Sequence, residues 1–543
     1  MIEEKFIKEI KKYKDVIIYG YADIAVTVLD YIIEIDTSIK IANYSGRVKY
    51  FTTSERIPIK KRDEIKGIKI RPIYDLTDYA ADSLVVVATK EMHHKAIAKT
   101  LDELGFKNIL FISHEQYCLI RESVENFKTV VNNNIQNYHL NHQIKLDRLR
   151  DKVKRGGRVK AFFMTHDSAV FGCASVYKAM EESKLFDPYI YVVSRRDVEY
   201  PKFLEDVDRD VNFFEERGYK VIKGYDDNGN PRDLHTLNPD ILFYDIPKLY
   251  GSAGSSYNRL DQLNWEYLTC YVPYGMMMVD SFYYHYHTKC IRETWKFFVD
   301  TTSDFKRALM DSDFNGFNTV LAGYPKLDEY GESKTNAGST KEYEGKKIVI
   351  YAPHHSLFAS NNFATFDLYK DHMLEIVKQN PKFYFVIKPH PLLKFQINAR
   401  FCEGKIDFSK EDYEKYLEEW DKLPNGEVVD QGDYIELFEK SYCMITDCGS
   451  FIGEYFPSGK PCIYLFNPRK ERQRDVYTPL AQKILDTYYI ANSQDELDKY
   501  VLEVIKNGND IKAQARNKAV SEEFPDIGHA GRTIVKYLED VLI

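Results

Sequence analysis

Residues 443–459 read CMITDCGSFIGEYFPSG. An apolar run, Cys443–Thr446, reads as a buried strand. Small residues turn the chain at Asp447-Cys448-Gly449-Ser450, and Phe451–Gly459 reads as a helix. A strand that turns into a helix this tightly is one unit of a parallel α/β sheet. Working outward, the same unit recurs. KKIVIYAPHHS (346–356) leads to a helix at LYKDHMLEIVKQ, and FYFVIKPHP (383–391) is another strand ending in polar residues. A doubly wound domain is expected over residues 346–543, with a helical tail after Asn467 crossing between the halves of the molecule.

A second set of such units precedes it. RVKAFFMT (158–165) is followed by His166-Asp167-Ser168 and a helix, and later strand candidates are DPYIYVVS, PDILFYDIP, LTCYVPYG and KFFVDT. These give an α/β domain over residues 159–330. The polar stretch GESKTNAGSTKEYEG reads as the connection between the two. A third, smaller parallel α/β domain is expected over residues 1–117, where DVIIYGYADIA and DSLVVVATKEMHHKAIAKTLDELGFKNILFI alternate strand and helix. Gly20-x-Ala22-x-x-Ala25 is a degraded dinucleotide fingerprint with no acidic ribose partner at the end of a second strand, so this domain reads as accessory. Residues 118–158 read as a helical basic linker: eight Lys and Arg lie between Lys145 and Lys160. Such a stretch suits a solvated face, or contact with anionic lipid.

Composition narrows the class. The 543 residues exceed a single core, and 44% hydrophobic with 29% charged residues describes a folded protein. A net charge of −8 and a pI near 6.0 argue against a nucleic-acid binder. The eight cysteines are scattered, with no C-x-x-C pair, which fits a reducing compartment. The first residues lack a signal-peptide core, and no run is long enough to span a membrane. A cytoplasmic location is expected, compatible with a peripheral position at the inner membrane face.

The residues with chemistry sit just past strand ends, where open α/β sheets bind ligands. Three loops converge on one kind of ligand: Tyr351–Ser356 with His354 and His355, the Lys388-Pro389-His390-Pro391 loop, and Asp447-Cys448-Gly449-Ser450. Small residues at a strand-to-helix turn let backbone N–H groups approach an anion, and Lys388 and the imidazoles supply the other side. Glu454, one turn into the helix, could accept ribose hydroxyls. Together they read as a pyrophosphate cradle. In the alternative reading, Asp447 or Ser450 simply caps a structural helix. No metal set is expected, because neighbouring His354 and His355 have no third ligand at zinc spacing. His285 and His287 read as polar tips of an aromatic cluster.

On these blocks the chain resembles the CDP-glycerol glycerophosphotransferase family of teichoic-acid-type polymerases and primases. The matching stretches are LAGYPKLDEY (321–330), IVIYAPHHS (348–356), VIKPHP (386–391), DYIELFEKSYCMITDCGSFIGEYFPSGKPCIYL (433–465) and DIGHAGRTIVKYL (526–538). The resemblance implies a GT-B fold of two Rossmann-like domains, here preceded by the small Rossmann-like domain. It implies transfer of a polyol phosphate, glycerol- or ribitol-phosphate-like, from a CDP-linked donor to a hydroxyl of a glycan or teichoic-acid- or capsule-like polymer, releasing CMP and requiring no cofactor. By motif, His390 contacts the donor pyrophosphate, Asp447, Gly449 and Ser450 form the phosphate-facing turn, and Glu454 lies near the nucleoside. The family carries Thr-Trp where this chain has His354-His355. A His-Gly-Thr motif that supplies its proposed base has its best counterpart in Tyr274-Gly275-Met276, which leaves His166 and Asp167, or His354 and His355, as candidates for that role. Two rival readings remain: a GT-B glycosyltransferase using a nucleotide sugar for surface polysaccharide, and a non-catalytic polymer-binding or assembly subunit.

Overall fold

Apolar runs such as Val16–Tyr19, Ile241–Tyr244 and Cys462–Leu465 are buried along their whole length, which is the signature of strands covered on both faces by helices. The computed structural model describes residues 8–10, 12–13, 15–39, 48–54, 64–65, 68–193, 202–246, 260–279, 286, 289–312, 314–330, 345–358, 363–429, 434–470, 473–524 and 526–543. His285 and His287 lie outside these.

The strands build three sheets. β1 (Val16–Tyr19), β2 (Val48–Thr53), β3 (Glu64–Ile65), β4 (Ile68–Pro72), β5 (Leu84–Val87) and β6 (Asn108–Phe111) form the first, in the order β3-β4-β2-β1-β5-β6. Its pairings are parallel except β3 with β4. The second holds β7 (Val159–Thr165), β8 (Phe186–Val192), β9 (Val221–Lys223), β10 (Ile241–Tyr244), β11 (Leu268–Tyr271), β12 (Lys296–Val299) and β13 (Thr319–Leu321), in the order β13-β12-β11-β10-β7-β8-β9. The third holds β14 (Lys347–Ala352), β15 (Phe383–Ile387), β16 (Gly426–Val428), β17 (Ser441–Thr446), β18 (Cys462–Leu465) and β19 (Tyr489–Ala491), in the order β16-β15-β14-β17-β18-β19. The second and third sheets are parallel throughout and doubly wound. Their order reverses between β7 and β10 and between β14 and β17, and each reversal opens a crevice at the carboxyl ends of the strands.

A single helix, His114–Lys154, joins the first sheet to the second. Ser113 and Gln116 form a capping box at its start. Its 41 residues extend about 60 Å at a rise of 1.5 Å each. Ile120 and Val124 enter the core of the first sheet, while Leu146 and Leu149 enter that of the second. The basic end of this helix is held by protein: Lys152 pairs with Asp240 at 2.6 Å, and Arg150 donates to the carbonyl of Val541 at 2.9 Å.

The chain also crosses back. Helix Ala530–Leu542 buries Ile534, Leu538 and Leu542 in the core of the second sheet, although it follows the third in sequence. Asp328 receives its first N–H groups, from Ala530 (2.8 Å) and Gly531 (2.6 Å). Gly531 lies so close to Ser175 that a Cβ would sit 2.6 Å from that backbone. The two halves are thus two Rossmann-like units with an exchanged last helix, a GT-B arrangement.

Candidate active site

Strand register brings the three sequence-distant loops to one level. Tyr351 on β14 pairs with Ile387 on β15, and Ala352 pairs with Thr446 on β17. The residues that follow, Pro353-His354-His355, Lys388-Pro389-His390 and Asp447-Cys448-Gly449, therefore leave the sheet at the same edge, around its switch point. Backbone bonds lock them there: Lys388 N–H donates to Tyr351 O (2.8 Å) and His390 N–H to Pro353 O (3.1 Å).

Asp447 ties two of the loops together. Its fully buried carboxylate accepts from the N–H of His354 at 2.6 Å, and from the N–H and hydroxyl of Thr365 at 2.5 and 2.8 Å. Burial pushes its pKa up to about 7, and those donors act in the opposite sense. The side chain is turned into the fold, where it ties the loop after β17 to the loop after β14. Cys448 stands at the N-cap position of the helix Gly449–Tyr455 without a side-chain capping bond, its sulfur 3.3 Å from the hydroxyl of the exposed Ser450. Gly449 is buried at the first position of that helix.

The three imidazoles meet at this edge. Ring centroids are 4.3 Å apart for His354 and His355, 4.0 Å for His355 and His390, and 5.5 Å for His354 and His390. One nitrogen from each lies within 4.8 Å of the others, a spacing that invites comparison with a cation site. The hydrogen bonds oppose one. His390 Nδ1 accepts the N–H of Leu392 at 3.1 Å, and His354 Nδ1 accepts that of Ser356 at 3.3 Å, with the Ser356 hydroxyl 2.8 Å away. A neutral ring that accepts at Nδ1 carries its proton on Nε2, whereas a metal-bound ring needs Nε2 free and a donor at Nδ1. Burial and the neighbouring imidazoles hold His354 well below the usual range, and burial lowers His355. Burial, His355 and the Lys388 charge lower His390 to about 4. The cluster is therefore neutral near pH 7, with at least two N–H groups that no backbone group among the described residues engages, and Lys388 close by. That is equipment for an anion.

The second sheet presents the opposing wall. His166 and Asp167 follow β7, Asp245 follows β10, Tyr274 lies three residues past β11, and Asp300 follows β12. Asp167 is occupied as a cap, its Oδ1 accepting the N–H of Ala169 at 3.0 Å. His166 is half-buried. Gly172, in the loop after β7, would bring a Cβ to 3.6 Å from the Cα of Tyr274, so the β7 and β11 loops touch. A Cβ on Gly275 would meet open space. Tyr274 is 43% exposed, and its surroundings, with Asp245 and Glu454 nearby, raise its phenol above the ordinary value. Glu454, 5% exposed, looks across the divide: Tyr324 contacts its Oε1 at 3.4 Å while donating to Tyr274 O at 2.7 Å, and Tyr330 donates to its carbonyl at 2.9 Å.

Asp245 and Asp300, at 2% and 3% exposure, were not among the expected site residues. Asp300 Oδ1 has no hydrogen-bond partner among the described residues, and burial, with Asp304 and Glu454 nearby, drives its carboxyl well above the usual range. The signal was present in ILFYD and KFFVD, where an apolar strand ends on an aspartate.

Among solved structures, the chain is similar to a putative UDP-N-acetylglucosamine 2-epimerase from Listeria monocytogenes, at 14% identity over 71% of this chain and 96% of that one, with a TM-score of 0.46. It is similar to UDP-GlcNAc 2-epimerase from Neisseria meningitidis bound to UDP-GlcNAc (14% identity, 70% and 100% covered, TM-score 0.43). It is similar too to the wall teichoic acid polymerase TagF (12% identity, 77% and 98% covered, TM-score 0.43). Likenesses at this level leave the assignment to sequence. No curated protein matches the chain. Residues 283–537 match the family described as CDP-Glycerol:Poly(glycerophosphate) glycerophosphotransferase. That stretch contains β12 to β19, the three imidazoles, the Gly449 turn and Glu454, and over these residues the chain is similar to that family.

Proposed function

We propose that the protein transfers a polyol phosphate, of the glycerol- or ribitol-phosphate kind, from a CDP-linked donor to a hydroxyl of a glycan or teichoic-acid-like polymer, and releases CMP. The acceptor oxygen forms a bond to the distal phosphorus. The bond from that phosphorus to the bridging oxygen breaks, and the electron pair stays on CMP. A phosphate monoester has a second pKa near 6, so this leaving group needs its charge stabilised more than it needs a proton. Neutral imidazoles offering N–H groups, beside Lys388, suit that task. His390 and His354 would bind the bridging and distal oxygens, with the Gly449-Ser450 turn on the other side and Glu454 near the nucleoside.

The acceptor proton would pass to the wall built by the second sheet. His166 is the candidate base there, with Asp167 and Asp245 on the same edge. The observation that carries the reading is the shared polarity of His354 and His390: both rings turn Nδ1 to a backbone N–H, which leaves Nε2–H for an anion.

Product analysis tests it. Incubation with a panel of CDP-polyol and nucleotide-sugar donors and a polyol-phosphate oligomer should yield free CMP and a new phosphodiester in equal amounts. A nucleoside diphosphate with a new glycosidic bond would instead identify a glycosyltransferase. CDP binding without turnover on any donor would identify a binding subunit. No helix among the described residues is long and apolar enough to cross a membrane. A peripheral role at the inner membrane face, where polymer acceptors are held, belongs to the same proposal.

A further inference from the structure

Residues 274–279 of the acceptor-side half do not stay with that half. Met276 and Met278 are buried in a core they share with Ile452, Tyr455 and Tyr477 of the donor-side half. Gly453 makes the notch for them: a Cβ there would lie 2.8 Å from the sulfur of Met276 and 2.9 Å from that of Met278. One turn earlier, Val279 lies 3.7 Å from where a Gly449 Cβ would sit. The backbone joins in. Val279 pairs with Tyr477 in an antiparallel bridge, Thr478 N–H donates to Met278 O (3.0 Å), and its hydroxyl donates to Met277 O (2.8 Å). At its other end the segment is pinned by the Tyr324 hydroxyl on Tyr274 O.

The segment therefore covers the helix Gly449–Tyr455 along one side and is fastened at both ends. It is apolar and moves no proton, yet it sits between the two walls of the candidate site. We propose that Met276 and Met278, seated against Gly453, are positioning residues that fix the donor-side turn at Gly449 relative to the acceptor-side wall. This rests on the transfer reading given above. The donor should bind to the third sheet without them, but the distance between the bound phosphate and an incoming hydroxyl depends on them. Small misplacements of reacting groups lower rate far more than affinity.

A wedge at the notch tests this. Thioether ends can rotate away from one added methyl, so the informative change is Gly453→Leu, read in the full chain. Hydrogen exchange at the Thr478 amide reports the fastening directly and requires no turnover. It should speed at least tenfold, while CDP affinity stays within threefold and kcat for transfer falls at least tenfold. Adding Met276→Ala and Met278→Ala makes room for the leucine and should return exchange and kcat to within threefold of the parent. Should Gly453→Leu fail to fold, the pair Met276→Ala and Met278→Ala alone should still speed Thr478 exchange. Unchanged exchange in a folded variant overturns the proposal, as does a loss of CDP affinity in step with kcat. If the parent protein transfers nothing, the transfer reading fails, and the exchange measurement still decides whether the segment fastens the halves.

Discussion

At His390 the backbone settles what the ring can do. A bond from the Leu392 N–H occupies Nδ1, so the neutral ring donates from Nε2. Removing a single donor of this kind from a site of developing negative charge costs about a hundredfold to a thousandfold in rate. His390→Ala should lower kcat by at least about a hundredfold with donor affinity much less affected, as read by steady-state kinetics beside a CDP titration. The same ring makes stability depend on pH. Its pKa is about 4 in the folded protein, against an ordinary value near 6.5. As pH falls through 6.5 the unfolded chain takes up the proton first, so stability is full above that value and declines down to about pH 4. One such group contributes a slope of up to about 1.4 kcal/mol per pH unit. His142, buried against Asn264 O and also lowered to about 4, adds a second such decline. Urea unfolding of His390→Asn between pH 6.5 and 4 should show a shallower slope by about that amount. An unchanged slope would mean that the ring is not buried neutral.

The strand-end loops carry the next level. Asp447 was read from sequence as part of a phosphate-facing turn or as a helix cap, and in the structure its carboxylate joins the β14 and β17 loops. Asp447→Ala would leave the His354 N–H and both Thr365 donors unpaired in the interior. At about 1–3 kcal/mol for each buried unsatisfied group, the loss should reach at least about 3 kcal/mol in denaturant unfolding, with activity falling alongside. Wild-type stability in that variant would show that the loops hold without it. The strand–turn–helix units were legible because parallel strands read as continuous apolar runs, and KPHP and DCGS stand at the ends of two of them. What the aspartate side chain would contact was not legible, because a carboxylate suits a cap, an anchor or a site equally well. His354 and His355 were read without a third partner. The register of β14 on β15 supplies His390, and register is a property of pairing that spacing along one strand does not reveal.

Across the whole molecule, the alternation of strands and helices fixes three sheets, but their mutual placement depends on contacts between residues hundreds of positions apart. Helix Ala530–Leu542 is the clearest case: its apolar stripe is plain in sequence, its destination is not. Leu538, fully buried in the core of the second sheet, should tie the stability of the half built on that sheet to helix Ala530–Leu542. Leu538→Ala should cost about 2–5 kcal/mol, and hydrogen exchange should rise in β7 and its neighbours rather than in β14 or β15. A rise confined to the third sheet would contradict the exchanged helix. The Met276–Met278 segment has the same character: nothing in YGMMMV announces that it packs on Gly453.

The measurement that reaches furthest into the mechanism is nitrogen NMR of labelled histidine, taken near pH 7 with and without CDP and with His354→Ala and His390→Ala for assignment. Both rings should be neutral with the proton on Nε2, and CDP should shift those two Nε2–H signals while the phosphorus resonances of CDP move in the parent and not in the double variant. Rings protonated on Nδ1, or CDP that binds without disturbing either imidazole, would contradict an anion cradle at this edge.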